Sequence, residues 1–272
     1  MALDQAPLGK SSEYPDRYAP ELLFPVPRDD NRRRIGLADG RWPWFGEDLW
    51  QAWEISWLRP GGVPAVAWAE FRLPATSPAL IESKSLKLYL NSLNQEVYSE
   101  EGQVRETIER DLSSVCGAQV TVVLHNVDTT MTAHGRPLSG ILIDNEPVTE
   151  VGYEYCPEVL KAGNEVVTEI LCSHLLKSNC PVTGQPDWGT LLVEYSGPAI
   201  DRSALLQYVV GFRQKQDFHE HCVETVFTDV MQACRPDRLT VSARYTRRGG
   251  LDINPWRSTE PGEAPSLRLV RQ

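Results

Sequence analysis

Apolar residues alternate with polar ones at Trp53, Ile55 and Trp57, a period of two that predicts a half-buried strand over residues 50–57. The pair Gly61-Gly62 follows as a turn signal, and Ala65, Ala67, Ala69 and Phe71 resume the alternation, so the two runs are predicted to form a hairpin. The period then changes. Leu86, Tyr89, Leu90 and Leu93 stand at i, i+3, i+4 and i+7, and Val104, Ile108 and Leu112 follow at four-residue steps, which predicts two amphipathic helices. Val120, Val122 and Leu124 return to period two and predict a further strand. Ahead of the hairpin, Pro7, Pro15, Pro20, Pro25, Pro27 and the basic run Arg32-Arg33-Arg34 predict an irregular N-terminal arm over residues 1–45 that wraps a surface.

The second half of the chain repeats this pattern. Adding 119 to each apolar position from Leu86 onward lands on Leu205, Tyr208, Val209 and Phe212, then Val223, Phe227 and Met231, then Leu239, Val241 and Ala243, all apolar. Identities share the offset: Ile81 with Ile200, Tyr89 with Tyr208, Gln95 with Gln214, Glu101 with Glu220, Val104 with Val223, and Thr121 with Thr240. Helices of similar length can align by chance through their common period, but this offset persists from helix into strand, where the period differs. Residues 191–195 and 166–176 supply the second hairpin. The expected architecture is a tandem α+β duplication with units at 46–130 and 164–272, joined by a connecting segment at 131–163. Antiparallel sheets with paired helices on one face expose edges, so a barrel completed by oligomerisation is expected.

The 272 residues are 41% hydrophobic and 24% charged, enough apolar material for a real core. A net charge of −10 argues against a broad grip on nucleic-acid phosphates and points to a small ligand. No apolar run approaches the ~20 residues of a membrane helix, and the first thirty residues lack the apolar core of a signal peptide, so a cytoplasmic address without membrane contact is expected. The six cysteines are too sparse for a disulfide framework and include no Cys-x-x-Cys pair.

One cysteine has distinctive surroundings. Cys180 precedes Pro181, and Gly184 and Pro186 mark a turn, so the loop is expected to present the thiol, with Asp187 folding back toward it. Cys116, Cys156, Cys172, Cys222 and Cys234 lack such context and are read as small core residues. His219-Glu220-His221-Cys222 opens the second helix of the second copy, near free backbone N–H groups. A metal is not expected there, because neighbouring helical residues lie about 100° apart and no His-Glu-x-x-His spacing exists. Glu82-Ser83-Lys84-Ser85-Leu86-Lys87 opens the first helix of the first copy, as a solvated run capped by Ser83 or Ser85, or as part of a site. Comparing the copies favours a site. Glu82-Ser83-Lys84-Ser85 becomes Asp201-Arg202-Ser203-Ala204, and His219-Glu220 becomes Glu100-Glu101, as expected if a duplicated site divided its jobs.

At these residues the sequence closely resembles the bimodular NADPH-dependent 7-cyano-7-deazaguanine reductases, a branch of the tunnelling-fold family that includes GTP cyclohydrolase I. The resemblance covers nearly the whole chain. It implies tandem tunnelling-fold units and conversion of a deazapurine nitrile to a primary amine with two NADPH, in the pathway to the queuosine base of tRNA. It implies that Cys180 is the nucleophile of a covalent thioimide and Asp187 the proton donor, with His219 able to relay a proton to the imine. Substrate contacts are implied for Glu82, Ser83, Lys84, His219 and Glu220, and cofactor contacts for Lys84, Ser85, Arg248 and Gly249. The complementary losses between copies lead to an expectation of one composite site per chain and of a C2 homodimer. Two other classes stay open on the residues alone: a metal-dependent tunnelling-fold hydrolase of a pterin or purine, and a non-catalytic purine-binding protein.

Overall fold

The structure, a computed structural model, describes residues 17–37, 42–128, 140–148 and 152–272. Pro7 and Pro15 of the expected arm, and residues 131–139 and 149–151 of the connecting segment, lie outside the described residues. Two compact units emerge, neither of them continuous in sequence. Unit 1 comprises Met1–Asp30, Asp48–Thr132 and Arg247–Asp252, and unit 2 comprises Asn31–Glu47, Ala133–Thr246 and Ile253–Gln272.

Regular elements replace the irregular arm expected over residues 20–34. A 3-10 turn at Pro20–Leu22 leads into strand β1 (Pro25–Pro27) and the short helix α1 (Asp29–Arg34). The prolines that signalled irregularity sit at the start of the 3-10 turn and at both ends of β1, where a missing N–H is tolerated. In unit 1 the predicted hairpin forms from β2 (Phe45–Leu58), whose first three residues belong to unit 2, and β3 (Pro64–Pro74). Its turn is closed by Arg59 N–H donating to Val63 O at 2.9 Å. β4 (Ala79–Ile81) pairs antiparallel with β1. The two amphipathic helices follow as α2 (Ser83–Ser92) and α3 (Glu101–Cys116), and β5 (Thr121–His125) runs antiparallel to β3. α3 packs on β4 and β5, and its predicted stripe of Val104, Ile108 and Leu112 is wholly buried.

Unit 2 repeats the order. β6 (Ile141–Leu142) lies parallel to β7 (Ala162–Ser173); β8 (Lys177–Asn179) and β7 both pair antiparallel with β9 (Pro186–Ile200). Then come α4 (Arg202–Val210), α5 (His219–Cys234) and β10 (Arg238–Tyr245), with β11 (Leu251–Ser258) pairing antiparallel with β10. Phe212, predicted on the first helix of this copy, falls instead in a 3-10 turn at Gly211–Gln214. Strands β11, β10, β9, β7 and β6 are neighbours in that order, and α5 packs on β10.

The two units share details beyond the order of their elements. Glu82 and Asp201, partners at the offset of 119, both cap the first helix of their unit with a carboxylate. Tyr89 donates to Asp111 in unit 1, and Tyr208 donates to Asp229 in unit 2; Tyr18 and Tyr155 supply a second hydroxyl to the same two carboxylates. Those second tyrosines open the segments Tyr18-Ala19-Pro20-Glu21-Leu22-Leu23 and Tyr155-Cys156-Pro157-Glu158-Val159-Leu160, a repeat at an offset of 137.

Within the basic run of the arm, Arg32 is buried. In unit 2 its Nε and Nη2 donate to Glu224 at 3.1 and 2.8 Å, while Arg257 Nη2 donates to the same carboxylate at 2.9 Å. Trp42 covers the Arg32 guanidinium at 4.1 Å. Arg32 thus binds the carboxylate bidentately, through charge-assisted hydrogen bonds in a dry setting.

Candidate active site

Strand β8 places the cysteine. Its register with β9 sets Ser178 opposite Asp187 and Asn179 opposite Pro186, so Cys180 is the first residue of the connecting loop and Asp187 stands on the returning strand, opposite a residue two places before the cysteine. Cys180 N–H donates to Gln185 O at 2.8 Å and Gly184 N–H to Cys180 O at 2.9 Å, closing the loop on itself. The expectation that this loop presents its thiol to solvent is corrected: Cys180 is 2% exposed. Tight closure, rather than the Pro/Gly composition that signalled an open turn, decides its exposure.

The loop is strapped to the start of α5. Asn179 N–H donates to Lys215 O at 2.9 Å, and Asp217 N–H donates to Asn179 O at 3.0 Å, two residues before the helix opens at His219. His219 Nε2 lies 3.3 Å from Asp187 Oδ2. The imidazole stacks on the Tyr245 ring, with centroids 3.9 Å apart and planes inclined by 30°. Glu220 follows, almost wholly buried in the first turn of α5, where the helix dipole favours negative charge. Asp217 holds His221 Nδ1 at 3.1 Å. Burial pushes the Asp217 carboxyl up, but His221 and Lys215 outweigh it and hold it below the usual carboxylate range.

Of the five cysteines read as core residues, Cys116, Cys172, Cys222 and Cys234 are buried; Cys156 is not, because it sits at the start of the 3-10 turn Pro157–Val159, where its thiol donates to Glu158 at 3.3 Å. Burial raises the thiols of Cys116 and Cys172, and pushes Cys234 to about 11 and Cys222 to about 12. Among the described residues no group of three or more His, Cys, Asp or Glu is arranged to hold a metal ion.

The other candidate residues belong to unit 1. Glu82, not Ser83 or Ser85, caps α2, its two carboxylate oxygens accepting from Lys84 N and Ser85 N at 2.8 Å each. Ser85 is tied in place as well, donating to Glu82 O at 2.7 Å and accepting from Phe24 N at 3.0 Å. Ser83 Oγ donates to the same carboxylate at 3.4 Å, and Glu82 is wholly buried. Arg248 and Gly249 form a turn closed by Arg248 N–H to Leu251 O at 2.9 Å. Trp53 anchors it, its backbone N–H donating to Gly250 O and its Nε1 to Asp252, while Arg247 lies over its ring at 5.5 Å. Gly249 has φ +63°, and a Cβ there would stand 3.2 Å from Lys87 Cδ. The turn thus lies against Lys87 of α2, which adds a cation beside Arg247 and Arg248. Fixed cations and close backbone suit the phosphates of a dinucleotide, so these residues fit NADPH without a Gly-x-Gly-x-x-Gly turn.

Comparison with known proteins bears directly on these two residue sets. One family model, described as nitrile reductase, 7-cyano-7-deazaguanine-reductase N-term, matches residues 14–124, and a second, described as QueF-like protein, matches residues 186–263. A protein of Chromohalobacter salexigens called NADPH-dependent 7-cyano-7-deazaguanine reductase is 55% identical over 272 residues, covering 99% of this chain and 98% of the relative. This chain belongs to the 7-cyano-7-deazaguanine reductases. Reductases of the same name from Azoarcus sp. and Bordetella avium are 53% and 51% identical, over 99% and 100% of this chain and 96% and 100% of their own lengths. Glu82 through Ser85 fall in the first matched region of the reductase family, and Asp187, His219, Glu220, Arg248 and Gly249 in the second. Cys180 lies between the two, inside the span covered by the full-length relatives.

Two neighbours of the site were not singled out from the sequence. Tyr245 continues the period of Val241 and Ala243, and so reads as one more core residue of β10; Asp217 sits in an unpatterned polar stretch.

Proposed function

We infer that the chain reduces the nitrile of 7-cyano-7-deazaguanine to the primary amine of 7-aminomethyl-7-deazaguanine with two NADPH, in queuosine biosynthesis. The observation that carries the residue roles is the 3.3 Å approach of His219 to Asp187, on the strand that returns from the Cys180 loop.

A nitrile carbon is a weak electrophile, and a thiolate is the side-chain nucleophile best suited to it. Cys180 forms the S–C bond as one π bond of the nitrile breaks, and Asp187 carries a proton to the nitrogen where negative charge develops. The net change is addition of S–H across C≡N, giving a thioimide with nothing lost. Two NADPH molecules, bound in turn, would each supply one hydride and leave as NADP+; the two hydrides together take the carbon from the nitrile to the amine oxidation level. The Cys180 sulfur leaves as thiolate between them, and His219 holds a proton for the nitrogen. Glu220 accepts two parallel N–H bonds from the guanine-like edge, and a buried acceptor left unpaired discriminates strongly against analogues lacking them. Substrate contacts are also assigned to Glu82, Ser83 and Lys84, and cofactor contacts to Lys84, Ser85, Arg248 and Gly249.

Counting NADPH oxidised per nitrile consumed tests the reaction: two are expected, and a ratio of one would contradict it. Asp187→Asn is expected to lower kcat by roughly 10²- to 10⁴-fold. Undiminished turnover in that variant would remove Asp187 from the chemistry.

The reading extends to tunnelling-fold units closed into a barrel by a C2 homodimer working in the cytoplasm. Supporting it, β5 in unit 1 and β6 in unit 2 each pair on one side only among the described strands. Among the described residues no helix is long and apolar enough to cross a membrane. Light scattering that returns twice the chain mass supports the dimer; a monomer mass overturns it.

A further inference from the structure

The imidazole of His219 is oriented by something other than a hydrogen bond. Its Nε2 lies near Asp187 Oδ2 but is not aligned for a hydrogen bond with it, so the Asp187 contact alone does not fix the ring plane. The broad contact is the face of Tyr245, stacked at 3.9 Å.

Tyr245 occupies that position because of its partner across the sheet. Register pairs Tyr245 with Gly189, two residues after Asp187 on β9. The pairing is pinned on both sides by Thr246 N–H donating to Trp188 O at 2.8 Å and Gly189 N–H donating to Leu176 O at 2.9 Å. A Cβ at Gly189 would stand 3.2 Å from Tyr245 Cδ1, 3.3 Å from Cε1 and 3.3 Å from Leu176 Cδ2. Glycine weakens a strand interior, and its usual compensation is the close approach of another group. Here that group is the Tyr245 ring, lying over the space that a side chain would fill.

What stands behind the imidazole is uncharged. The Tyr245 hydroxyl is buried beside Cys222 and Ser178; burial raises the phenol far above its usual range and pushes the Cys222 thiol to about 12. A neutral, buried ring suits a platform and not a proton donor.

We propose that Tyr245 is a positioning residue for His219, its ring lodged over Gly189 and holding the imidazole toward Asp187. The proposal rests on His219 serving the reduction, and it assigns the work to the ring rather than to the hydroxyl. Tyr245→Phe therefore keeps turnover near wild type. Tyr245→Leu lowers kcat by roughly 10- to 100-fold, as expected of a misplacement on the order of 1 Å, with KM little changed and the nitrile still captured by Cys180. Gly189→Ala, which displaces the ring by a few tenths of an ångström, lowers kcat by about 3- to 10-fold. Because both changes act through one stack, Gly189→Ala adds little to Tyr245→Leu, whereas a general loss of packing would add in full.

A spectroscopic arm reads the stack without turnover. In the wild type and in Tyr245→Phe the His219 ring protons are shifted upfield by the aromatic face, and in Tyr245→Leu the shift is lost. Wild-type turnover in Tyr245→Leu, equal losses in the Phe and Leu variants, or additive losses in the double variant would each overturn the proposal. Should Tyr245→Leu fail to fold, Gly189→Ala decides: unchanged kcat and an unchanged His219 spectrum overturn it. A wild type that stacks as described but reduces no nitrile counts against the assigned reaction and leaves the geometry standing.

Discussion

Replacing Cys180 by alanine is expected to lower nitrile reduction by roughly 10⁴-fold or more while leaving deazaguanine binding largely intact. The size of the effect follows from the mechanism. Without sulfur the nitrile must accept hydride directly at a poorly electrophilic carbon, and no neighbouring group replaces a covalent nucleophile, so the loss is of the order seen when a nucleophile is removed from a catalytic unit. Binding survives because recognition is assigned to Glu220 and to Glu82, neither of which the substitution touches. The variant should also fold, since Cys180 holds its loop through backbone hydrogen bonds to Gln185 and Gly184 that alanine preserves. Steady-state NADPH oxidation gives the rate and calorimetry with the nitrile gives the affinity. A variant with unchanged kcat, or one that loses binding and turnover in equal measure, would contradict the assigned role.

Glu224→Gln is expected to be the most damaging change to stability, at about 3–5 kcal/mol. The glutamate is buried between Arg32 and Arg257 in unit 2, receiving hydrogen bonds from both guanidinium groups. A glutamine of the same shape fills the volume but leaves two buried cations without the carboxylate between them, and an uncompensated buried charge costs far more than a lost neutral hydrogen bond. Adding Arg32→Met to Glu224→Gln removes one of the two cations and should recover part of the loss, a coupling that a double-mutant cycle reads directly. Urea denaturation supplies the measurement; a loss below about 1 kcal/mol would show that the cluster is not stabilised by its charges.

The parts of this molecule that the sequence made legible are those governed by short-range periodicity. The β2–β3 hairpin and the α3 stripe of Val104, Ile108 and Leu112 were readable because alternation and four-residue spacing report which face is buried whatever the partner. Arg32 was not readable. A basic run looks solvated, and the carboxylate that pairs with it stands 192 residues away. The second tyrosine repeat escaped for a simpler reason, since its offset of 137 differs from the 119 that relates the helices, and a search at one offset passes over it. Residue identity singled out Cys180, Asp187, His219 and Glu220 as candidates, but composition does not encode that the Cys180 loop closes through two backbone hydrogen bonds with its thiol buried. Tyr245 looked like core until register set it opposite Gly189, where the missing side chain gives the ring its place.

The central claim is that one sulfur per chain becomes covalently attached to the nitrile carbon. Intact-protein mass spectrometry after incubation with 7-cyano-7-deazaguanine, without NADPH, tests it most directly. The predicted result is a gain equal to the whole substrate mass, once per chain, on the wild type, with no gain on Cys180→Ala. A wild type that gains no mass under conditions where it reduces the nitrile, or an adduct that persists in Cys180→Ala, would contradict the account.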